Sequence, residues 1–114
     1  FTYIDDVVEG VVRLLCRPPV EGSAAAAHRV FNIGNNSPVK LMRFIEALEN
    51  ALGQALGRNV EFKKIFEPIK PGDVPATYAA IDLLYQEVGF KPVTSIEEGL
   101  QRFANWYVGY YGVG

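Results

Sequence analysis

Residues 70–78, KPGDVPATY, set a cation, Lys70, and an anion, Asp73, around a Pro-Gly pair. Pro71 and Pro75 fix φ, and Gly72 admits backbone conformations closed to other residues. The two charges therefore have little freedom left to lose on binding. Local chemistry leaves two readings open: a turn in which Asp73 caps its own backbone, or one wall of a binding site.

Other constellations carry less. Gly34-Asn35-Asn36-Ser37 lies between a strand-like and a helix-like segment, where backbone N–H groups can hold phosphate. It has neither the G-x-G-x-x-G nor the G-x-x-x-x-G-K-[ST] spacing, so a tight turn with Ser37 as a helix N-cap explains it. Asp5 and Asp6 could be paired carboxylates, but acidic residues at a helix start are favoured by the macrodipole alone. Trp106, Tyr107, Tyr110 and Tyr111 could form a stacking platform, although rings at helical spacing more often pack a helix down. Cys16 reads as a small buried hydrophobe on a helix, and His28 as structural or solvent-exposed. With one cysteine and one histidine there is no internal disulfide and no metal-ligand cluster to expect.

The elements that must position these residues follow from periodicity. Thr2-Tyr3-Ile4 is strand-like and leads into a helix begun by Asp6 and Glu9, with Val8, Val11, Val12 and Leu15 on its apolar face and an end near Arg17, before Pro18-Pro19. Residues 18–27 read as a surface excursion. Residues 29–33 form a short strand, and Ser37-Pro38 starts a second helix with Leu41, Phe44, Ile45, Leu48 and Leu52 on one face; Leu56 favours a stop at Gly57 over Gly53. Residues 60–66 form a second strand, and strand–helix–strand at this spacing implies a parallel unit. A short helix over residues 81–88 ends at Gly89 with Phe90 packing back. Ser95 and Glu98 form a capping box for a last helix carrying Ile96, Leu100, Phe103, Ala104 and Tyr107. The expected fold class is α/β, with short parallel strands and about four helices.

With 114 residues, 49% hydrophobic and 21% charged, the chain has the size of one globular domain. A formal charge of −2 with both signs interspersed provides no basic stripe for nucleic acid or anionic lipid. No apolar run reaches the roughly 18 residues of a membrane span, and nothing resembles a signal peptide, so a cytoplasmic protein is expected. The chain opens at Phe1 without methionine and two parallel strands make no self-sufficient sheet, both of which suggest a fragment.

Four stretches in order, FTYIDDVVEGVVRLL, VFNIGNNSPVKLMRFIEALENALG, KPGDVPATYA and VGFKPVTSIEEGLQRFANWYVGYY, resemble the C-terminal third of nucleotide-sugar epimerases of the extended short-chain dehydrogenase/reductase family. UDP-glucuronate 4-epimerases are the nearest type. The resemblance covers nearly the whole chain, and its specificity lies in the order and spacing of all four. It implies that residues 1–114 are the nucleotide-sugar-binding domain, lacking a Rossmann half that binds NAD and carries the catalytic Tyr-x-x-x-Lys. No G-x-G-x-x-G is present, and no tyrosine is followed four residues later by lysine, so no catalytic or cofactor-binding residue is assigned here.

The family reaction implied is oxidation of the sugar at C4 by NAD, rotation of the 4-keto intermediate and reduction of its other face. UDP-glucuronate and UDP-galacturonate interconvert in this way. In related galactose epimerases the K/R-x-G-D loop sends its basic residue to the diphosphate and its aspartate to the uridine ribose. Those roles fall to Lys70 and Asp73, with Thr77 near the sugar. The position of Lys70 is commonly Gln in uronate epimerases, and Ala80 stands where the family has an Asp that caps the following helix. The partner implied is a UDP-sugar, with no nucleic acid or membrane. Family homodimers pair mostly through the half not found here, so no oligomeric state follows. Two rival readings remain: a free-standing α/β binding or interaction module without catalysis, and the same portion of a UDP-sugar decarboxylase or dehydratase.

Overall fold

Helices form where an apolar period near 3.6 residues runs through the sequence. The structure is a computed structural model that describes residues 1–19, 28–73, 76, 77 and 79–113. Most of the expected surface excursion, residues 20–27, lies outside the described residues, as do Val74, Pro75 and Tyr78. Helix α1 is Ile4–Leu15, α2 Leu41–Leu56, α3 Asp82–Val88 and α4 Ile96–Tyr111. Gly57 and Gly89 stop α2 and α3 at φ of 65° and 63°, the left-handed conformation that glycine adopts without a Cβ penalty. The Ser95 hydroxyl accepts from Glu98 N–H at 3.2 Å and starts α4, whereas the Glu98 carboxylate bonds Arg102 at 2.6 Å. The side chain of Ile81, the residue before α3, makes no capping hydrogen bond.

The chain divides into two compact units. The first, Phe1–Pro38 with Tyr78–Thr94, is built on α1 and α3. Leu84 is fully buried and Ile81 nearly so. Asp6 is 8% exposed, and its Oδ2 accepts from Val93 N–H at 3.2 Å and Thr94 N–H at 2.9 Å, tying α1 to the segment that follows Phe90. Arg13 lies over the Phe90 ring, 5.0 Å from its centroid. Arg29 bonds Glu87 at 2.8 Å, and that bond chiefly holds the Glu87 carboxyl below its usual range.

In the second unit, Val39–Thr77 with Ser95–Gly114, Ala47 and Ala51 of α2 meet Leu100 and Ala104 of α4, flanked by Phe44, Leu48, Leu52, Ala55 and Ile96. The alanines let the two helices approach closely, so the seam runs through Ala47 and Ala51 and leaves Leu41 exposed. Glu49 accepts from Phe62 N–H at 2.7 Å and from Lys64 at 2.6 Å, fastening the segment after α2 onto that helix. The bond from Lys64, followed by that from Phe62, lowers the Glu49 pKa.

The structure corrects several expectations. Among the described residues there is no strand, so the fold is all-helical and not α/β with short parallel strands. Residues 29–33 and 60–66 are extended but form no ladder. They fall in different units, and the Phe62 N–H finds a side-chain partner in Glu49, while the Asn32 side-chain amide donates to the Ala80 carbonyl at 3.4 Å. Ile4, expected at the end of a strand, is already helical. Helix α2 begins at Leu41 and not at Ser37-Pro38. Ser37 N–H instead bonds Asn35 Oδ1 at 2.9 Å, because an Asn two residues back offers a local acceptor that competes with helix. Cys16 is exposed just past α1, and the predicted apolar face of α1 (Val8, Val11, Val12 and Leu15) is 43–76% exposed. The helix buries the opposite side, at Asp6 and Gly10.

Candidate functional site

The KPGD segment is a closed turn in the second unit. Lys70 C=O accepts from Asp73 N–H at 3.0 Å, Pro71 occupies the first corner and Gly72 the second with φ 95°, the pattern of a type II turn. Asp73 Oδ2 also accepts from Lys70 N–H at 3.2 Å, so the aspartate caps its own backbone. The Lys70 ammonium pairs with Glu67 Oε2 at 2.9 Å across Pro68, with the two side chains 72% and 61% exposed.

This geometry is the first of the two readings of the sequence, a turn in which Asp73 caps its own backbone. The turn is the local chemistry expected of Pro-Gly-Asp, and its rigidity sets a cation and a carboxylate at fixed backbone positions on an exposed loop. Thr77 is exposed in the same unit, and among the described residues no hydrogen bond joins it to the turn. Sequence reasoning missed Glu67. Its signal was the Glu-x-x-Lys spacing, which is easily passed over outside a helix.

The other candidates do not gain a ligand role. In the Gly34 turn, Asn35 N–H bonds Thr2 Oγ1 at 2.9 Å and Ser37 N–H bonds Asn35, so amides that would face a phosphate are already taken. Gly34 is needed there because a Cβ would lie 3.0 Å from Ala79 Cβ. Asp6 proves to be a buried pin, and Asp5 stays exposed. The aromatic residues of α4 pack on one another, Trp106 on Tyr110 at 5.3 Å and Tyr107 on Tyr111 at 4.8 Å, and do not hold the helix down. No basic residue lies in the last turn of α4 to accompany them.

A depression of about 350 Å³ lies between α2 and α4, away from the KPGD turn. Its charges are spent on each other, Arg43 bonding Glu97 at 2.6 Å, while Gln101 bonds the Ala51 carbonyl and Asn105. Among the described residues no group of His, Cys, Asp and Glu is placed to hold a metal, and no helix is long and apolar enough to cross a membrane.

No protein-family model matches the chain. Curated relatives do. Protein CapI of Staphylococcus aureus is 45% identical over 122 residues, which span 97% of this chain and 35% of that protein. A probable UDP-glucuronate 4-epimerase of Rhizobium meliloti is 43% identical over 94% of this chain and 33% of its own length. UDP-glucuronate 4-epimerase 6 of Arabidopsis thaliana is 41% identical over 99% of this chain and 25% of its own length. The chain thus spans about a quarter to a third of the length of these relatives. Identity sustained at this level along nearly the whole of this chain means common ancestry and not a shared local motif: the chain is homologous to a part of proteins that include UDP-glucuronate 4-epimerases.

Proposed function

We propose that this chain is the UDP-sugar-binding part of a cytoplasmic, NAD-dependent nucleotide-sugar 4-epimerase that interconverts UDP-glucuronate and UDP-galacturonate, with NAD and the catalytic tyrosine carried by a preceding part of the parent protein. The observation that carries the reading is similarity over nearly the whole of this chain to a quarter to a third of proteins named UDP-glucuronate 4-epimerase or probable UDP-glucuronate 4-epimerase, at 41–43% identity. The doubly closed KPGD turn supports it, because it offers a cation and a carboxylate on a preorganised backbone.

In this reading the Lys70 ammonium meets the diphosphate, where a charge-assisted contact is favoured. Asp73 already spends Oδ2 on its own turn and uses its remaining lone pairs to accept from the vicinal ribose hydroxyls. Thr77 lies towards the sugar. The chain's role is binding and orientation. NAD does not fit the residues present, since there is no G-x-G-x-x-G loop and no Tyr-x-x-x-Lys pair, so no redox step is assigned to them.

The test is to express the parent protein together with the chain that precedes these residues, and to follow UDP-glucuronate by proton NMR. Appearance of UDP-galacturonate supports the proposal. A product that has lost carbon dioxide or water overturns it in favour of a decarboxylase or dehydratase relative.

A further inference from the structure

We infer that Glu67 is an internal competitor for the diphosphate, pairing with Lys70 and setting how tightly the loop takes a nucleoside diphosphate. The inference rests on the reading that Lys70 meets the diphosphate. Glu67 Oε2 stands 2.9 Å from Lys70 Nζ, on the proline-linked run that leads into the turn. The pairing is built into the chain. Pro68 and Pro71 restrict the backbone between and after the two residues, and the turn fixes Lys70 at its first position through the bonds between Lys70 and Asp73.

A single ammonium has three donors and can serve a carboxylate and a phosphate together, but only where the two anions tolerate each other's approach. Here a diphosphate arriving at Lys70 meets the Glu67 charge within a few ångströms of its own, so binding turns the glutamate aside and the pair is lost. Both side chains are largely exposed, which makes the exchange cheap and reversible. Glu67 thereby acts as a placeholder. It holds the ammonium in a pair at 2.9 Å and lowers the loop's affinity for the nucleotide, which favours release over retention.

The competition sets a measurable scale. Exposed ion pairs contribute little, so neutralising Glu67 should raise affinity for UDP by about two- to fivefold. The gain should exist only while Lys70 is present. It should also be specific to the phosphates, because the uridine contacts proposed for Asp73 do not involve Glu67.

The experiment is a double-mutant cycle on the 114-residue chain, with Glu67→Gln, Lys70→Ala and the double variant titrated with UDP and separately with uridine by NMR chemical shift. The expected result is tighter UDP binding for Glu67→Gln, weaker binding for Lys70→Ala, no effect of Glu67→Gln in the Lys70→Ala background, and unchanged uridine binding for Glu67→Gln. Unchanged or weaker UDP binding by Glu67→Gln, with Lys70→Ala weakened, overturns the placeholder role and leaves the site reading standing. A gain that persists without Lys70 also overturns it, since Glu67 would then repel phosphate through space. Lys70→Ala with unaltered UDP affinity overturns the site reading itself, and the inference with it. Both side chains are surface groups, and matching amide spectra of the free variants verify that each is folded.

Discussion

Removing the Asp6 carboxylate should uncouple α1 from the segment that follows α3. Asp6 is 8% exposed, and a single oxygen accepts from Val93 N–H at 3.2 Å and Thr94 N–H at 2.9 Å. Hydrogen bonds to an ionised acceptor contribute about 1.5–3 kcal/mol each, but two sharing one oxygen do not add fully. The carboxylate also sits in the first turn of α1, where a negative charge is favoured by roughly 0.3–1 kcal/mol. Asp6→Ala therefore costs about 2–4 kcal/mol, the larger part from leaving two donors without their acceptor. Asp6→Asn keeps an acceptor oxygen and the side-chain volume and costs about half as much, so it stays folded if the alanine variant does not. Urea unfolding measures the total. Native-state hydrogen exchange locates it, with loss of protection expected at the Val93 and Thr94 amides before the amides of the Ala47–Ala51 core of α2. Unchanged protection at Val93 and Thr94 in both variants would refute the reasoning.

Gly34→Ala should cost about 1–3 kcal/mol, because the new Cβ meets Ala79 Cβ at 3.0 Å and Thr2 Oγ1 at 3.5 Å; thermal melting measures it. The Glu49 pKa is depressed in the folded chain, chiefly by Lys64, so the stability it supplies is present above its unfolded value and is lost as pH falls through the lower folded one. Acidification through and below the ordinary carboxylate pKa of 4.5 should free the Phe62 amide, seen as faster exchange, and Glu49→Gln should abolish that pH dependence. Asp73→Asn should weaken binding of UDP and of uridine together, whereas Lys70→Ala should weaken UDP about 10- to 100-fold and spare uridine, both read by calorimetric titration. The isolated chain should show no micromolar affinity for NAD in the same calorimeter.

Signals that act within a few residues were legible in the sequence. Gly57, Gly89 and Ser95 mark helix ends through local sterics and a single short hydrogen bond, and the structure places the boundaries there. The strands were not legible as absent. Residues 29–33 and 60–66 carry β-favouring side chains, but a strand exists only if a second backbone pairs with it, and here the Glu49 carboxylate takes the Phe62 N–H that a ladder would use. The face of α1 was misplaced for a related reason, whereas in α2 the expected Phe44, Leu48 and Leu52 do pack against the core. Periodicity finds an apolar stripe without saying what covers it, and in α2 the small Ala47 and Ala51 take the centre of the seam while Leu41 is left exposed. The candidate site was legible as the Lys70–Asp73 spacing on a Pro-Gly turn. The Glu67–Lys70 ion pair beside it was not, because a pair across a proline depends on the path of an irregular segment.

The central claim is that the KPGD turn receives the nucleotide part of a UDP-sugar. The most direct measurement is a nitrogen-15 amide spectrum of the 114-residue chain titrated with UDP-glucuronate. The account predicts saturable shifts at Lys70, Gly72, Asp73 and Thr77 that UDP reproduces for the first three and glucuronate alone does not. Shifts confined to the Arg43–Gln101 depression, or none at the turn when ligand is saturating, would contradict it.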